Sequence, residues 1–229
     1  MTHEWLVFSL ILLGGWLVIF AFMPFARKKM IWASLLTAVF GLTEPLFVPE
    51  YWSPPSLFNL AARTGFDIES LIFSFAFGGI GVTLYSFVFS GNEMKISRHE
   101  TQKNRHRFHK LAVISPAIVF PVLYPSTSLN PIYTSIISMF IGGIATALCR
   151  PDLIKNVFLG GVIFAGFYFI FFEAINLIFP YFVNVWNFDA ISGIKLIGVP
   201  LEELMFGFTF GMMWSSIYEH LTWHKSGEK

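Results

Sequence analysis

Seven long apolar runs constrain this chain more than any other feature. They lie near residues 4–25, 30–48, 68–90, 110–125, 131–149, 155–179 and 200–223. A helix that crosses a bilayer needs about 20 predominantly apolar residues, and each run reaches or approaches that length. Composition agrees. The chain is 55% hydrophobic and 13% charged, against roughly 25% charged in a soluble domain. The fold expected is an all-α membrane protein with about seven transmembrane helices, multi-pass in a cell membrane. The fourth run is short and holds Pro116 and Pro121, so a kinked or tilted span is expected there. The first run has no basic segment ahead of it. Its charges, Arg27, Lys28 and Lys29, follow it, so it is read as a span and not as a signal peptide.

The placement of positive charge sets an orientation. Arg27, Lys28 and Lys29 follow the first run. Lys95, Arg98, Lys103, Arg105, Arg107 and Lys110 follow the third, Arg150 and Lys155 the fifth, and Lys225 and Lys229 the last. Only Arg63 and Lys195, of the 15 Lys and Arg, fall on the opposite side. Cytoplasmic loops carry the excess of Lys and Arg. The N-terminus is therefore expected outside and the C-terminus in the cytoplasm. The bias also supports the count of seven, since losing one span would scramble it.

A repeat is visible across the third and seventh runs. Residues 67–80 align without a gap on residues 200–213. Glu69 falls on Glu202, Leu71 on Leu204, Phe73 on Phe206, Phe75 on Phe208, Phe77 on Phe210 and Gly78 on Gly211. Trp52 and Trp186 lie at similar distances upstream of the two copies. Glu44 and Glu173 lie about one turn or somewhat more from the ends of the second and sixth runs, and the first and fifth hold the pairs Gly14-Gly15 and Gly142-Gly143. The plan expected is a 3+1+3 parallel internal repeat, its units related by an axis along the membrane normal. Residues 1–90 form the first three-helix repeat, 91–128 a basic cytoplasmic loop and linking helix, and 129–229 the second repeat. The glycine pairs are expected to let helices approach closely.

Acids at the edges of these runs carry the candidate chemistry. In Pro200-Leu201-Glu202-Glu203 a proline at a first helical position suits a helix start. Acids in the first turn suit the positive end of the helix dipole. Capping is therefore one account of Glu69, Glu202 and Glu203, and function is the other. For Glu44 and Glu173 capping fails, because they sit near C-terminal ends. Ionisable side chains in membrane helices are costly and usually face the bundle interior. Burial disfavours a charged carboxyl, so one acid of such a group can protonate an apolar substrate while another steadies the cation or removes a proton. Phe73 and Phe77 share the helical face of Glu69, as Phe206 and Phe210 share that of Glu202. Ring faces stabilise cations. Ordinary packing is the other account of the rings.

Other chemistries lack their signatures. No G-x-G-x-x-G follows a strand-like segment, and there is no Walker loop, serine elbow or aspartate-rich diphosphate motif. The single cysteine, Cys149, excludes an internal disulfide and a cysteine-based metal site. His99, His106 and His109 allow a zinc site, and the favoured reading is a solvated cytoplasmic loop touching lipid headgroups. His220 and His224 have ligand spacing but lack the zincin glutamate. The expectation is a redox-neutral reaction with no cofactor and no metal.

The chain resembles the integral-membrane lycopene β-cyclase family, whose domain occurs in bacterial, archaeal and fungal carotenoid cyclases. The resemblance rests on Pro200-Leu-Glu202-Glu203-Leu-Met-Phe206 with Trp186 upstream. A weaker part is Trp52-Ser-Pro-Pro-Ser together with Asp67-Ile-Glu69-Ser-Leu-Ile-Phe73. It implies two tandem lycopene-cyclase-like copies and closure of the linear ends of lycopene, or a related carotenoid, to ionone rings. It also implies Glu202 and Glu203 as catalytic residues, and Glu69 by its place in the first copy. The first copy departs from the pattern, with neither the proline nor a second glutamate. The partners expected are an apolar isoprenoid and the lipid bilayer, with other carotenoid-pathway enzymes as candidate contacts and no nucleic acid. A membrane carrier, an accessory subunit with a buried carboxylate cluster, and a cyclase of another isoprenoid stand as alternatives.

Overall fold

The computed structural model describes residues 3–89, 93–97, 101 and 104–226. The expectations that involve Arg98, His99, Lys103 and Lys229 fall outside them. Among the described residues there are eight α-helices: α1 (Glu4–Phe22), α2 (Arg27–Phe40), α3 (Leu60–Thr64), α4 (Ile68–Phe89), α5 (His109–Ser126), α6 (Pro131–Cys149), α7 (Ile154–Ile178) and α8 (Leu201–Thr222). Four short strands, β1 (Glu93–Lys95), β2 (Lys195–Leu196), β3 (Val199–Pro200) and β4 (His224–Ser226), make two antiparallel pairs, β1 with β4 and β2 with β3.

Every apolar run carries one of the seven longer helices. Among the described residues, four segments are long and apolar enough to cross a membrane: Glu4–Phe22, Ile68–Phe89, Pro131–Cys149 and Pro151–Ile178. The second run departs from its expected limits. Its helix begins at Arg27, stops at Phe40 and tightens into a 3-10 turn over Gly41–Leu46. Pro45 lies inside that turn, and proline cannot donate the next helical hydrogen bond. Pro200, expected at the first helical position, instead stands in β3, and α8 opens at Leu201.

Polarity is distributed as a lipid surround requires. Large apolar side chains point outward, among them Leu17, Val18, Phe22, Phe87 and Leu177. Hydroxyls such as Ser9, Ser34, Thr83, Thr134 and Ser138 are buried. The helix backbone supplies partners to some of them: Thr37 Oγ1 donates to the Ala33 carbonyl and Ser138 Oγ to that of Thr134. A mainly helical protein with these apolar helices and this distribution fits a membrane.

The chain divides into two compact units. The first comprises Met1–Ile80, Asn130–Ile132 and Phe167–Leu204; the second comprises Gly81–Leu129, Tyr133–Gly166 and Met205–Lys229. In the first, α4 lies close on α2 and α1. A Cβ on Gly78 would overlap Thr37, and one on Gly79 would overlap Trp16 and Ser34. In the second, Gly211 of α8 meets α7, where a Cβ would stand 2.7 Å from the Gly160 carbonyl oxygen. Gly142 serves the same purpose against Pro116. Gly14 and Gly15 do not, because nothing lies within 4 Å of where their Cβ atoms would be.

Charge in the second unit is tied down. Arg150 is 0% exposed and grips Asp152 through Nε at 2.9 Å and Nη2 at 2.7 Å. It also donates to the backbone carbonyls of Glu219 and His224. His106, expected in a solvated loop, is 7% exposed because Trp223 and the end of α6 at Cys149 pack against it.

Candidate active site

The first unit gathers the acids. Asp67 caps α4: its Oδ1 accepts from the Ser70 backbone N–H at 2.5 Å, the third residue in, as an N-cap carboxylate does. The Trp5 indole donates to the same oxygen at 3.2 Å. Burial pushes the Asp67 carboxyl above its ordinary range, against the opposing pull of these donors.

Glu69 and Glu202, the aligned acids, do one job twice. Each stands in the first turn of its helix and is 1% exposed. Glu69 Oε1 accepts the backbone N–H of Leu57 at 2.7 Å, and Glu202 Oε1 accepts that of Ser192 at 2.9 Å. Each carboxylate thus ties the loop before its helix to the helix start. Neither the cap account nor the free-acid account describes this tether.

Glu203 is different. It is 6% exposed and accepts three side-chain donors. The Tyr51 phenol donates to Oε1, Trp186 Nε1 donates to Oε1 at 2.9 Å, and the Tyr168 phenol donates to Oε2 at 2.8 Å. Burial and the neighbouring Glu203 carboxylate hold the Tyr51 phenol well above its ordinary range, so it remains a donor. Three donors converging on two oxygens supply what an ionised carboxylate needs away from water.

The rings around this carboxylate form one continuous cluster. Tyr168 meets Phe77 edge-on, with centroids 5.0 Å apart, and Phe77 stacks on Phe73 at 4.9 Å. Tyr168 also meets Phe172 at 4.6 Å, and Phe172 meets Trp186 at 5.5 Å. Phe8 and Phe182 close the cluster between Phe73 and Trp186. Trp52 lies 6.2 Å from Trp186 by ring centroids, and their backbones form an antiparallel bridge. Two hydrogen bonds flank that bridge: the Ser53 N–H donates to the Val185 carbonyl at 2.8 Å, and the Asn187 N–H donates to the Tyr51 carbonyl at 2.9 Å.

The remaining sequence candidates are placed as follows. Glu44, in the 3-10 turn after α2, is 9% exposed, and its Oε1 is buried with no hydrogen-bond partner among the described residues. Its electrostatic neighbours are Asp67, Ser70, Trp52 and Glu203. Glu173 is half-buried on α7, and its Oε1 is likewise buried without a partner among the described residues. Phe206 and Phe210 belong to the second unit. There they stack on each other at 6.2 Å, and Phe210 packs against Phe164 and Trp214. The structure thus gathers Glu203, Glu44, Trp52, Trp186, Phe73 and Phe77 in the first unit, and uses Phe206 and Phe210 as packing in the second.

Tyr51 and Tyr168 were not legible as site residues. The available signal for Tyr168 was its hydroxyl within an apolar run, since a buried Tyr O–H needs a hydrogen-bond partner. Neither tyrosine belongs to the repeated pattern that draws attention to the glutamates.

No curated protein and no solved structure matches the chain. A family model does. The model described as lycopene cyclase matches residues 130–221, the stretch that carries α6, α7 and α8 with Tyr168, Glu173, Trp186, Glu202 and Glu203. This part of the chain is similar to the lycopene cyclase family.

Proposed function

We propose that the protein cyclises the linear ends of lycopene, or of a related carotenoid, to ionone rings within the membrane. The family match supports an enzyme of carotenoid cyclisation. The observation that carries the finer reading is Glu203 held by Tyr51, Tyr168 and Trp186 inside the aromatic cluster. The reaction needs no oxidant, reductant or cofactor. A carboxylic acid donates a proton to the terminal double bond, the resulting cation is attacked by a neighbouring double bond to close a six-membered ring, and a carboxylate takes a proton from the ring carbon. Atoms and electrons balance as an isomerisation.

The residues divide this work. Glu203, fixed by three donors, steadies the cation and accepts the final proton. Glu44, with a buried oxygen that no described group bonds, is the proton donor. Phe73, Phe77, Trp52 and Trp186 present ring faces to the cation, each worth about 0.5–2 kcal/mol where water is excluded. Glu69 and Glu202 act through the loops they tether, and Glu173 is a further carboxyl on α7.

The same reading includes seven spans, an outside N-terminus, a cytoplasmic C-terminus and a cell-membrane location. It also includes the repeat of residues 1–90 and 129–229 about the linker 91–128. Three observations support the repeat. The aligned Glu69 and Glu202 make the same tether. The aligned Gly78 and Gly211 each let their helix pack on the preceding long helix, α4 on α2 and α8 on α7. The two hydrogen bonds flanking Trp52 and Trp186 exchange under a two-fold rotation that swaps those tryptophans.

The test is pigment analysis. The chain is expressed in a bacterial host that accumulates lycopene, and its carotenoids are separated beside those of a Glu203→Gln variant. Monocyclic or bicyclic product from the wild type alone is expected. Unchanged lycopene, with the wild-type protein present in the membrane, would refute the lycopene assignment.

A further inference from the structure

The second unit holds a cluster of metal-ligating side chains that the proposed cyclisation does not use. Cys149 closes α6, His109 opens α5, and His106 lies in the 3-10 turn just before it. Cys149 Sγ stands 3.6 Å from His106 Nδ1 and 3.6 Å from His109 Nδ1. All three atoms lie within 4.8 Å of one another.

Two properties of this arrangement point to an ion. The first is convergence: two imidazole Nδ1 atoms and one thiol sulfur meet at a single point. The second is distance. With Zn–S of about 2.3 Å and Zn–N of about 2.0–2.1 Å, a tetrahedral angle puts sulfur and nitrogen about 3.6 Å apart. Both sulfur–nitrogen separations have that value. Thiolate with imidazole is the donor set that zinc favours.

The surroundings suit a bound cation. His106 and Cys149 are buried, and His109 is half-buried. The Trp223 ring stacks on His109 at 4.1 Å and meets His106 edge-on at 5.0 Å, covering the site. The nearby Arg150 guanidinium pairs with Asp152 at 2.7 Å. His220 stands edge-on to His109 with centroids 4.5 Å apart. Its Nδ1 is 3.1 Å from Thr146 Oγ1, and its Nε2 is buried without a hydrogen-bond partner among the described residues.

We propose that His106 Nδ1, His109 Nδ1 and Cys149 Sγ bind a zinc ion in the second unit, with the fourth position taken by water or, after a small side-chain rotation, by His220. On binding, the Cys149 thiol gives its proton to solvent and the Zn–S bond forms. The ion staples the turn before α5 to the end of α6. The sequence reading set these histidines in a solvated loop and took a single cysteine to rule out a cysteine-based site. One thiolate suffices where two imidazoles join it.

The test uses the full chain, purified in detergent through a tag without histidine. Elemental analysis after gel filtration is expected to find about one zinc per chain in the wild type. Occupancy is expected to fall at least about tenfold in Cys149→Ser and His106→Ala, and to stay unchanged in His3→Ala. Cobalt(II) titration of the wild type provides a readout that needs no variant to fold. Cys149 is the one cysteine of the chain, so a thiolate-to-cobalt charge-transfer band, with the visible bands of a tetrahedral ion and displacement by zinc, assigns the sulfur ligand. Folded wild type that holds no zinc and gives no such band overturns the proposal, as would variants that keep the metal. Cyclase activity enters neither readout, so this site and the carotenoid reading stand or fall separately.

Discussion

The starts of α4 and α8 align in sequence and make one contact in common, and they differ at the next position. In Asp67-Ile68-Glu69-Ser70 and Pro200-Leu201-Glu202-Glu203 the third residue is the same acid with the same task, a tether to the preceding loop. At the fourth position Ser70 faces Glu203. Ser70 gives its backbone N–H to the Asp67 cap. Glu203 gathers two phenols and an indole. The two helix starts share a tether, and they differ in the cluster that gathers on Glu203.

The largest break in this comparison comes from Glu203→Gln. A neutral amide keeps the size but cannot steady a cation or take a proton, and it must accommodate three donors with one carbonyl oxygen. Removing a positioned acid or base costs roughly 10²–10⁴-fold, so carotenoid turnover is expected to fall by at least ~100-fold while the protein remains in the membrane. Ser70→Ala, at the matching place in α4, keeps the cap bond, which uses the backbone N–H, and removes a hydroxyl beside Glu44, so it is expected to slow turnover less than Glu203→Gln does. Comparable losses from both would dissolve the asymmetry.

Next come the donors. Tyr168→Phe and Tyr51→Phe each strip one hydrogen bond from Glu203 and leave the ring in place. A hydrogen bond to a charged group is worth about 1.5–3 kcal/mol, so each change is expected to slow turnover by roughly 10- to 100-fold. The double variant measures whether the donors act as a unit. A loss smaller than the product of the single effects indicates that they do.

How much of this was legible follows the same division. The apolar runs fixed the helices because lipid leaves the backbone no other solution. Gly78 and Gly211 were visible as a pair, and each does bring two helices together. Gly14-Gly15 looked equivalent to Gly142-Gly143, but only the latter pair has a neighbour. A glycine marks where an approach can happen, and the partner surface decides whether it does. Glu203 was legible as an acid, while Tyr51 and Tyr168 were not legible as its donors. They are 152 and 35 residues away from it, and no local spacing encodes a contact made by packing. His106, His109 and Cys149 were separated in the same way, 43 and 40 residues apart.

The tethers offer a smaller test. Glu69→Ala and Glu202→Ala each leave a loop N–H without its carboxylate, and an orphaned buried donor costs about 1–3 kcal/mol. If the helix starts are equivalent as scaffold, the two variants should lose similar thermal stability in detergent. Gln in either place keeps an acceptor oxygen and should restore most of the loss. A strong loss of turnover in Glu202→Gln, with stability intact, would move Glu202 from tether to chemistry.

The smallest effect expected is at Asp67, the cap that α8 replaces with Pro200. Asparagine caps a helix about as well as aspartate, and its carbonyl oxygen can still accept from Ser70 and Trp5. What Asp67→Asn removes is the charge. Burial raises the Asp67 carboxyl in the folded protein, so the folded state holds that proton more tightly than the unfolded chain does. A group of this kind favours the fold at acid pH, and its contribution declines as pH rises from the ordinary carboxylate range through the raised folded value. The variant should therefore match the wild type at neutral pH or slightly exceed it, and should lose part of the wild type's gain in stability toward acid pH. Thermal unfolding in detergent across that range reads the difference. A variant clearly less stable at neutral pH would mean that the carboxylate's charge itself supports the start of α4, making the cap a closer counterpart of the charged Glu203 cluster than the aligned sequences suggest.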